Sequence, residues 1–392
     1  PRTEQSPESS DSSGSGRAQA SSGAGEKKDP KPQTKTIEKI NNFITQLQGV
    51  PLSQKLFFTK NLGVMTKAGL SLSAAVKTLS LQTNNKLLKK ILQKTHEEIE
   101  QGNYLSDSLA KYPKTFSPVF INMIRAGEKG GNLEKVLKEL ALQMKKTHEL
   151  SSKIKSALAY PAFILVAMAG IGILMMIFVV PQVIDIFSDM EATLPLPTRI
   201  LIFTSSFVTS NGLLLAILFL ISVAAFVKFI RTKTGRRYFH IILLKSPVIG
   251  SIIKKINLAK FSRTFSSLLA TDIPIVQTLE ITGTVLGNTI YRDYVTAASE
   301  KVKKGESVAK ILSENDKLFP PVVIQMIQVG EETGTLDNIL QDLADFYEDE
   351  VSNLMEGLAS IIEPVLIIIL GIAVAGMALS IIMPMYSLTE QF

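Results

Sequence analysis

The sequence contains no cysteine, and only three of its 392 residues are histidine. Without cysteine, the chain cannot form disulfide scaffolds, thiolate zinc sites, iron–sulfur clusters or cysteine nucleophiles. It also lacks the GxxxxGK[ST] phosphate loop and the GxSxG nucleophile elbow, and neither of its two His-Glu pairs extends to the zinc-binding HExxH motif. We therefore expect no enzymatic activity, no cofactor and no metal site.

Large apolar residues are missing from the start of the chain, where residues 1–36 contain no Val, Ile, Leu, Met or Phe. This stretch is rich in Ser, Gly and Pro, and it cannot bury enough apolar surface to offset the entropy of ordering. We predict a disordered tail over these residues. The stretch also lacks the apolar core of a secretory signal peptide.

Charge is missing from three long apolar runs, residues 156–184, 200–227 and 364–389. Each run is longer than the roughly 20 residues that a helix needs to cross a hydrocarbon core of about 30 Å. Buried core helices are the alternative, but soluble cores rarely keep such long runs free of charge. We predict three transmembrane helices. Because no charge lies inside them, proton- or ion-coupled transport is disfavoured.

The charges that flank these runs predict the orientation of the chain. Residues 228–260 carry nine Lys and Arg and no Asp or Glu, whereas three acidic residues follow the first run. The positive-inside rule places the N-terminal region and residues 228–363 in the cytoplasm. It leaves an external loop at residues 185–199 and a short external tail at residues 390–392.

Four basic residues lie directly after the second apolar run: Arg231, Lys233, Arg236 and Arg237. A basic cluster beside a membrane span is typical of an anchor to anionic lipid. Binding to nucleic acid is the alternative, and the adjacent span disfavours it. We therefore expect membrane lipid as a partner and no nucleic acid.

The chain repeats itself at one constant offset. Phe58 corresponds to Phe261, 203 positions later, and Phe116 corresponds to Phe319 at the same offset. The register continues into the apolar runs, as further pairs show: Gly102 with Gly305, Pro118 with Pro321, Met123 with Met326, Pro161 with Pro364 and Pro181 with Pro384. This pattern indicates a duplicated unit, a soluble domain followed by a spanning helix. The second run has no counterpart and returns the chain, so that both copies lie on one side of the membrane.

The apolar spacing within each copy is that of helices. Residues 132–144 predict one helix, with Asn132 as its N-cap and an apolar face made of Leu133, Val136, Leu137, Leu140 and Met144. We predict an all-α integral membrane protein with two homologous cytoplasmic helical bundles, residues 37–155 and 228–363, and three transmembrane helices.

One turn, GEKGGNL in the first copy and GEETGTL in the second, is the sharpest local motif. Its shared residues are Gly127, Glu128, Gly131 and Leu133, and Gly330, Glu331, Gly334 and Leu336. We expect the first glycine to end a helix in the left-handed conformation, the second to turn the chain, and the following Asn or Thr to cap the next helix. Two interpretations of the glutamates remain open. Their carboxylates either accept hydrogen bonds from turn amides or contact a partner or metal.

Small residues recur four positions apart in the third run, at Gly371 and Ala375 and at Gly376 and Ser380. This spacing lets helix backbones approach closely in a membrane, where apolar burial gives no net driving force. We expect these residues to pack against the first span or against another copy of the chain. Loose packing against lipid is the alternative.

The doubled GExxGxL turn resembles the type II secretion system F family (GspF/PilC-like). In each copy the turn follows a Phe-x-Pro or Phe-Pro-Pro segment and precedes a helix and a proline-containing span, and the resemblance covers about residues 52–392. It implies two cytoplasmic helical bundles on three membrane helices. It also implies a non-enzymatic platform protein of the inner membrane in type IV pilus or type II secretion machines.

The resemblance implies partners as well. A member would oligomerise at the centre of the platform, beside other inner-membrane platform proteins. It would contact a hexameric assembly ATPase below and pilin or pseudopilin subunits in the membrane, and would convert ATPase motion into their insertion or extraction. The neighbours of Glu128 and Glu331, Lys129 and Glu332, differ in charge, so we expect the ATPase to dock at the turn region of one bundle and the assembly partners at that of the other.

Two features depart from the family pattern. Residues 1–36 are of low complexity where many members begin with a strand-containing segment, and Asp272 stands where the first copy has Gly69. We therefore expect the second of these turns to differ in shape. The alternative function is a transporter or permease subunit, which the large duplicated soluble part disfavours. A membrane-bound enzyme is the third class, and the sequence offers it no site.

The flanking charges predict which positions a membrane-impermeant thiol reagent reaches in intact cells. Cysteines introduced at Ser188 and Thr389 should be labelled from outside, and one at Thr232 only after the membrane is permeabilised. Because the chain has no cysteine of its own, each label reports a single position. Labelling of the Thr232→Cys variant in intact cells would contradict the predicted orientation.

Overall fold

A computed structural model describes residues 49–182 and 196–389 of the chain. The regular structure within these two ranges is entirely helical, which confirms the all-α prediction. The predicted tail at residues 1–36, most of the predicted loop at residues 185–199 and the predicted tail at residues 390–392 lie outside the described residues.

The two copies of the repeat form the same succession of helices. The first copy comprises α1 Leu52–Lys67, α2 Leu72–Gln82, α3 Lys86–Glu100, α4 Leu105–Ala110, α5 Pro118–Gly130 and α6 Leu133–Leu174. Outside the repeat lie α7 Leu196–Arg231 and α8 Lys233–Lys245. The second copy comprises α9 Ile249–Leu269, α10 Ile275–Val285, α11 Thr289–Val302, α12 Val308–Ser313, α13 Pro321–Thr333 and α14 Leu336–Thr389. Helices α2 and α10 begin 203 residues apart, at 72 and 275, and the four following pairs keep this offset. The duplication in sequence is therefore a duplication of structure.

Phenylalanines at matched positions lie at the centre of each bundle. Phe58 of α1 packs against Phe116, with ring centroids 6.3 Å apart, and Phe261 of α9 packs against Phe319 at 5.2 Å. All four side chains are at most 1% exposed. Burying an apolar side chain of this size contributes about 1.5–3 kcal/mol, so these positions are central to the closure of both bundles.

The last helix of each copy runs without interruption from its bundle into a membrane span. A π-helical segment, Met175–Val179, extends α6 to give a helix of 50 residues over Leu133–Gln182, and α14 has 54 residues. At about 1.5 Å per residue, the extended α6 is about 75 Å long, more than twice the roughly 30 Å of a hydrocarbon core. The sequence predicted a helix that ends at residue 144. That end is wrong, because residues 145–155 are helical too.

Three of the described helices, α6, α7 and α14, are long and apolar enough to cross a membrane, as predicted. Helix α7 bends at Asn211, whose φ of −115° and ψ of 15° depart from helical values. Glycine follows at position 212, and a residue without a side chain favours such a break. The bend separates a polar first part of α7 from an apolar second part.

The π-helical segment of α6 is contacted by the second span. In π-helical pairing the carbonyl of Met176 would accept from the amide of residue 181, but that residue is proline and has no N–H. The hydroxyl of Ser205 in α7 donates a hydrogen bond of 2.7 Å to this carbonyl. The contact therefore gives the carbonyl of Met176 a hydrogen-bond donor that the proline cannot supply.

The turn between the first two helices has the same shape in both copies. Gly69 has a φ of 83° and Asp272 a φ of 62°, both in the left-handed region. The residue that follows each of them donates its backbone N–H to the carbonyl five positions earlier, at 3.0 and 3.3 Å. The expectation that the second turn differs in shape is therefore wrong. Aspartate is among the few residues besides glycine that enter this conformation readily.

The corner between the last two helices of each copy contains the repeated glycines. Gly131 and Gly334 end α5 and α13 with φ of 68° and 71°, the left-handed conformation that stops a helix. Asn132 stands at the N-cap of α6, but its side chain accepts no capping hydrogen bond in the described chain. The predicted side-chain cap at Asn132 is therefore wrong.

The first glycine of each motif lies within a helix, so the prediction that it takes the left-handed conformation is wrong. A Cβ atom on Gly127 of α5 would lie 3.1 Å from the Cα of Leu133, and one on Gly330 of α13 would lie 2.9 Å from the Cα of Leu336. These glycines are required because the backbones of the two helices cross in contact at the corner.

The close crossing predicts that a single methyl group at the corner destabilises the fold. Gly330→Ala should lower the free energy of unfolding by about 1–3 kcal/mol, since the added Cβ overlaps backbone. Gly357→Ala in α14 is the matched control, because no described atom lies within 4 Å of the added Cβ. The control should be neutral or stabilising by up to about 1 kcal/mol. Unfolding of the detergent-solubilised chain measures both, and equal effects would contradict the prediction.

Candidate functional site

The glutamate of the first repeated turn points back into its own bundle. Glu128 accepts hydrogen bonds from the backbone amides of Leu105 at 2.6 Å and Ser106 at 2.9 Å. These are the first two amides of α4. Tyr104, which precedes that helix, makes no side-chain capping hydrogen bond within the described chain. The carboxylate of Glu128 therefore caps α4 from a distant position in the sequence.

Glu331 makes the same contacts in the second copy. Its carboxylate accepts from the amides of Val308 at 2.6 Å and Ala309 at 2.8 Å, the first two amides of α12. The hydroxyl of Ser307 adds a third hydrogen bond at 2.9 Å. The repeated glutamate thus joins the start of one short helix to the end of another in each bundle.

The physical reason for this contact is the charge at the start of a helix. The first amides of a helix have no partner within it and carry partial positive charge, so a carboxylate is stabilised there. Of the two interpretations of the glutamates, this geometry matches the one in which their carboxylates accept hydrogen bonds from backbone amides. The amides are the first two of α4 and of α12. The neighbours of the glutamates, Lys129 and Glu332, are exposed.

The two bundles meet around a buried guanidinium group. Arg263 of α9, with 3% of its side chain exposed, donates to Asp345 at 2.6 Å and to both carboxylate oxygens of Glu348 at 2.8 Å. Both acids lie on α14. Lys146 of α6 donates to Asp345 at 3.0 Å and lies 3.7 Å from the carboxylate of Glu348. This ionic cluster therefore joins the first bundle to two helices of the second.

The cluster keeps its members charged. Burial alone would lower the pKa of Arg263, but hydrogen bonds and charges of Glu348 and Asp345 outweigh it and raise the pKa. Burial would likewise raise the pKa of Asp345, but hydrogen bonds from Lys146, Arg263 and Gln341 lower it. Because the pKa of Asp345 is depressed in the folded chain, its stabilising contribution is present above about pH 4 and is lost as the pH falls through the folded-state value.

Helices α6 and α14 run side by side in the same direction. Lys146 contacts Asp345, and Lys153 donates to the hydroxyl of Ser352 at 2.9 Å, and in both pairs the partners are 199 residues apart. A constant separation along two helices requires a parallel arrangement. Both long helices therefore leave the bundles toward the same face of the membrane.

The ionic cluster was not found by sequence reasoning, although a signal for it was present. Arg263 is the one charged residue in residues 261–271, and the first copy has lysine at the matched position, Lys60. A lone arginine on an apolar helix is almost never fully buried unless it is paired. That pattern indicates a buried acidic partner, but it does not say on which helix the partner lies.

The small residues of the third span differ in their surroundings. No described atom lies within 4 Å of a Cβ placed on Gly371 or Gly376, and Ala375 is exposed. Ser380 is buried, and its carbonyl accepts a hydrogen bond of 2.7 Å from the hydroxyl of Thr198 in α7. The glycines therefore lie on an open surface of α14, and their packing against another copy stays a prediction.

The basic residues after the second span surround the start of α8. Arg231 ends α7, and three residues of α8 line a groove beside α11: Lys233, Arg236 and Arg237. Burial, followed by the positive charges of Arg236 and Arg292, lowers the pKa of His240 on the same helix. The arrangement concentrates positive charge next to a span and can hold an anionic headgroup. Lipid binding there stays a prediction.

The described part of the chain offers surfaces and contacts rather than a reaction centre. Within it, no group of three or more His, Asp or Glu side chains is placed to hold a metal ion. Its features are two matched bundles, two helices that continue from the bundles into the spans, and several charged surfaces.

Comparison with known proteins places this architecture among secretion and pilus proteins. The family described as type II secretion system (T2SS), protein F, matches the chain twice, over residues 58–181 and 261–384, which again start 203 residues apart (261 − 58). The chain is 36% identical over 341 residues to the type IV pilus assembly protein PilC of Thermus thermophilus, covering 87% of this chain and 84% of that protein. It is 33% identical over 340 residues to the PilC of Myxococcus xanthus, covering 87% and 81%. It is 31% identical over 356 residues to the type II secretion system protein F of Aeromonas hydrophila, covering 91% and 92%.

The capping contact predicts different roles for two adjacent glutamates. Glu331→Ala should lower the free energy of unfolding by about 1–2 kcal/mol, because it removes the partner of two helix-start amides. Glu332→Ala, the matched control on the exposed surface, should change it by less than about 0.5 kcal/mol. Hydrogen exchange should show lost protection at Val308 and Ala309 in the first variant alone. Equal behaviour of the two variants would show that the cap does not stabilise α12.

Proposed function

Because this chain belongs to the family of type II secretion system protein F, we propose that it is the inner-membrane platform protein of a type IV pilus or type II secretion assembly machine. The observation that carries this proposal is the double family match, which includes both bundles and the spans that follow them. The named relatives are assembly and secretion proteins rather than enzymes, and the chain is an inner-membrane protein without catalytic activity.

The finer proposal is mechanical. The protein couples a cytoplasmic hexameric ATPase to the insertion and extraction of pilin or pseudopilin subunits. The continuous helices α6 and α14 support this role, since a displacement of either bundle is carried along an uninterrupted helix into the membrane. The cluster around Arg263 supports it further, because Lys146 of α6 pairs there with Asp345 and Glu348 of α14 and so joins the two helices at the level of the bundles. A chain without a nucleotide-binding loop can perform such work only by docking a motor.

We assign the motor to the end of the bundles that lies away from the membrane. The repeated turns are at that end, since Leu133 precedes the predicted span at residue 156 by 23 residues of helix, or about 35 Å. Lys129 and Glu332 are exposed there, while Glu128 and Glu331 are engaged in helix capping. Docking therefore uses the exposed neighbours rather than the repeated glutamates.

The other partners follow from the remaining surfaces. Pilin or pseudopilin subunits would meet the exposed sides of the spans, and anionic lipid would meet the basic groove on α8. Further copies of this chain and other inner-membrane platform proteins are the remaining proposed partners. Both bundles are assigned to the cytoplasm by the positive charges that follow α7.

A transporter or permease subunit is the competing function. A transport path needs spans that pack around it, yet only 6%, 0% and 6% of the most apolar window of each described span is buried within the chain. Such open spans suit a protein that receives partners along its membrane surface, and the platform assignment is therefore favoured.

The platform proposal predicts a salt-sensitive complex with the assembly ATPase encoded with this chain. The full-length protein in nanodiscs should retain the purified ATPase at low salt, and Lys129→Glu or Glu332→Lys should weaken retention by about fivefold or less, as expected for a charge at the rim of an interface. Lys94→Glu, an exposed reversal on α3, is the matched control and should have no effect.

Two outcomes would count against this proposal. If the wild-type protein fails to retain the ATPase at low salt, the mechanical role loses its motor and the permease alternative gains. If only the control reversal weakens retention, the docking surface has been placed on the wrong end of the bundles.

A further inference from the structure

The two bundles touch through different faces of one fold. The first bundle contributes a set on α6 that we name the covering face: Glu139, Gln143 and Lys146. The second contributes a set on α9 and α14 that we name the covered face: Arg263, Ser267, Asp345 and Glu348. Their contacts include the hydroxyl of Ser267 donating to Glu139 at 2.9 Å and the ionic cluster around Arg263. Because the bundles share one fold, each bundle has positions equivalent to both faces. The contact within the chain uses the covering face of the first bundle and the covered face of the second.

In the first bundle, the positions that correspond to the covered face of the second bundle are exposed to solvent. The matched positions, 203 residues earlier, are Lys60, Val64, Leu142 and Lys145, which we name the basic face. Val64 is 64% exposed and Leu142 is 42% exposed, whereas Ser267, the counterpart of Val64, is completely buried. The groove between α1 and α6 that contains this face is bordered by two further lysines, Lys67 and Lys138, and by two glutamates, Glu134 and Glu139.

In the second bundle, the positions that correspond to the covering face of the first bundle are exposed to solvent. The matched positions, 203 residues later, are Asp342, Phe346 and Asp349 on α14, which we name the acidic face. Phe346 is 55% exposed, although its counterpart Gln143 is only 8% exposed. On the neighbouring α13, Val322 is 51% exposed and its counterpart Val119 only 2%. Phe346 and Val322 are thus exposed at positions whose counterparts are buried in the first bundle.

The charges of the two open faces are complementary. Within the chain, Lys146 meets the acids at positions 345 and 348. On the open faces the sign is reversed at one such pair, since Asp349 stands at the position that matches Lys146 and Lys145 stands at the position that matches Glu348. Lys60 matches Arg263 and stays positive, so Asp349 would meet two cations. Because the charge is reversed on both partners of this pair, the acidic face and the basic face still attract each other. Two acidic faces, or two basic faces, repel each other.

We propose that the acidic face of one chain docks on the basic face of a second copy, repeating between chains the contact that joins the two bundles within a chain. Phe346 and Val322 would supply the apolar part of this contact on one side, and Val64 and Leu142 on the other. Exposed apolar residues surrounded by charge are typical of protein–protein contacts. The contact is head-to-tail, and because α6 and α14 must enter one membrane in one direction, copies joined in this way are related by rotation about an axis normal to the membrane.

The features of the chain favour a second copy as the partner that binds each open face. Its two open faces are present in equal number, carry opposite charge and lie on a fold that already makes the equivalent contact once. One pair of like charges opposes it, since Glu356 would approach Glu149. The carboxylate of Glu149 is, however, within 3.6 Å of Lys145 in the described chain. This inference does not depend on the proposed coupling to an ATPase, because self-association is measured without the motor.

Cysteine cross-linking in the native membrane tests the contact directly. Two differently tagged chains, one with Lys145→Cys and one with Asp349→Cys, are expressed together and oxidised. We expect a disulfide-linked dimer that contains both tags, and no comparable dimer from either variant alone. Lys94→Cys with Glu300→Cys, at exposed positions on α3 and α11, is the matched control pair and should give no dimer. Because the chain has no native cysteine, every cross-link is assigned to the introduced pair.

Charge reversal gives an independent test on the purified protein in detergent. Lys145→Glu and Asp349→Lys should each raise the dissociation constant of the oligomer by about threefold to tenfold, and the mixture of the two variants should restore association. Both positions are exposed, so unchanged thermal unfolding will show that the variants are folded.

Three results would overturn the proposal. One is the absence of the mixed-tag dimer in membranes. Another is a dimer linked through Asp349→Cys on both chains, which would indicate a face that binds its own kind. The third is a pair of reversals that reduces ATPase retention but leaves the oligomer unchanged, which would assign these faces to the motor.

Discussion

The charge of Arg263 has to be neutralised inside the protein, and the arrangement of the two bundles depends on how this is done. A guanidinium group that is taken out of water loses its hydration, and two carboxylates of α14 replace it. Lys146 of α6 joins the cluster by pairing with one of the same carboxylates. Such clusters add little net stability compared with apolar packing, but removing one partner costs about 3–5 kcal/mol because a buried charge is left uncompensated. The cluster therefore specifies which faces meet. In doing so it joins α6 to α14 where the two helices run parallel.

The architecture could be predicted from the sequence because its signals are local or periodic. Uncharged runs mark the spans, and one constant offset marks the duplication, down to the buried phenylalanines at 58 and 261. The failures include local details, such as the helix end predicted at residue 144 and the shape of the Asp272 turn, and also packing contacts that the motifs do not report. Gly127 was expected to be left-handed, but it is helical and small because another helix crosses it, and a turn motif alone does not report that crossing. Likewise, the amides that Glu128 caps lie more than 20 residues earlier, where nothing in the local sequence connects them to the turn.

Duplication followed by divergence explains how one fold gives two bundles with different tasks. Positions that close each bundle keep their residue type, as the paired phenylalanines and the capping glutamates do. Positions on the surfaces between bundles have changed, and they have changed together: lysine against arginine at 60 and 263, leucine against aspartate at 142 and 345. A face buried within the chain has become polar and ionic, whereas its open counterpart has kept apolar side chains among lysines. The family's duplicated core is thus one scaffold with separately adjusted exteriors.

The length of α6 also has a geometric consequence. If the extended α6 moves as one rod of about 75 Å held near one end, it amplifies rotation, because a tilt of about 5° moves its far end by roughly 6–7 Å. That distance approaches the diameter of a helix, which is about 10 Å with its side chains. The contact between Ser205 and the π-helical segment lies at this far end. Small angular changes among the bundles, too small to break their packing, are therefore enough to change which neighbours the first span meets within the bilayer.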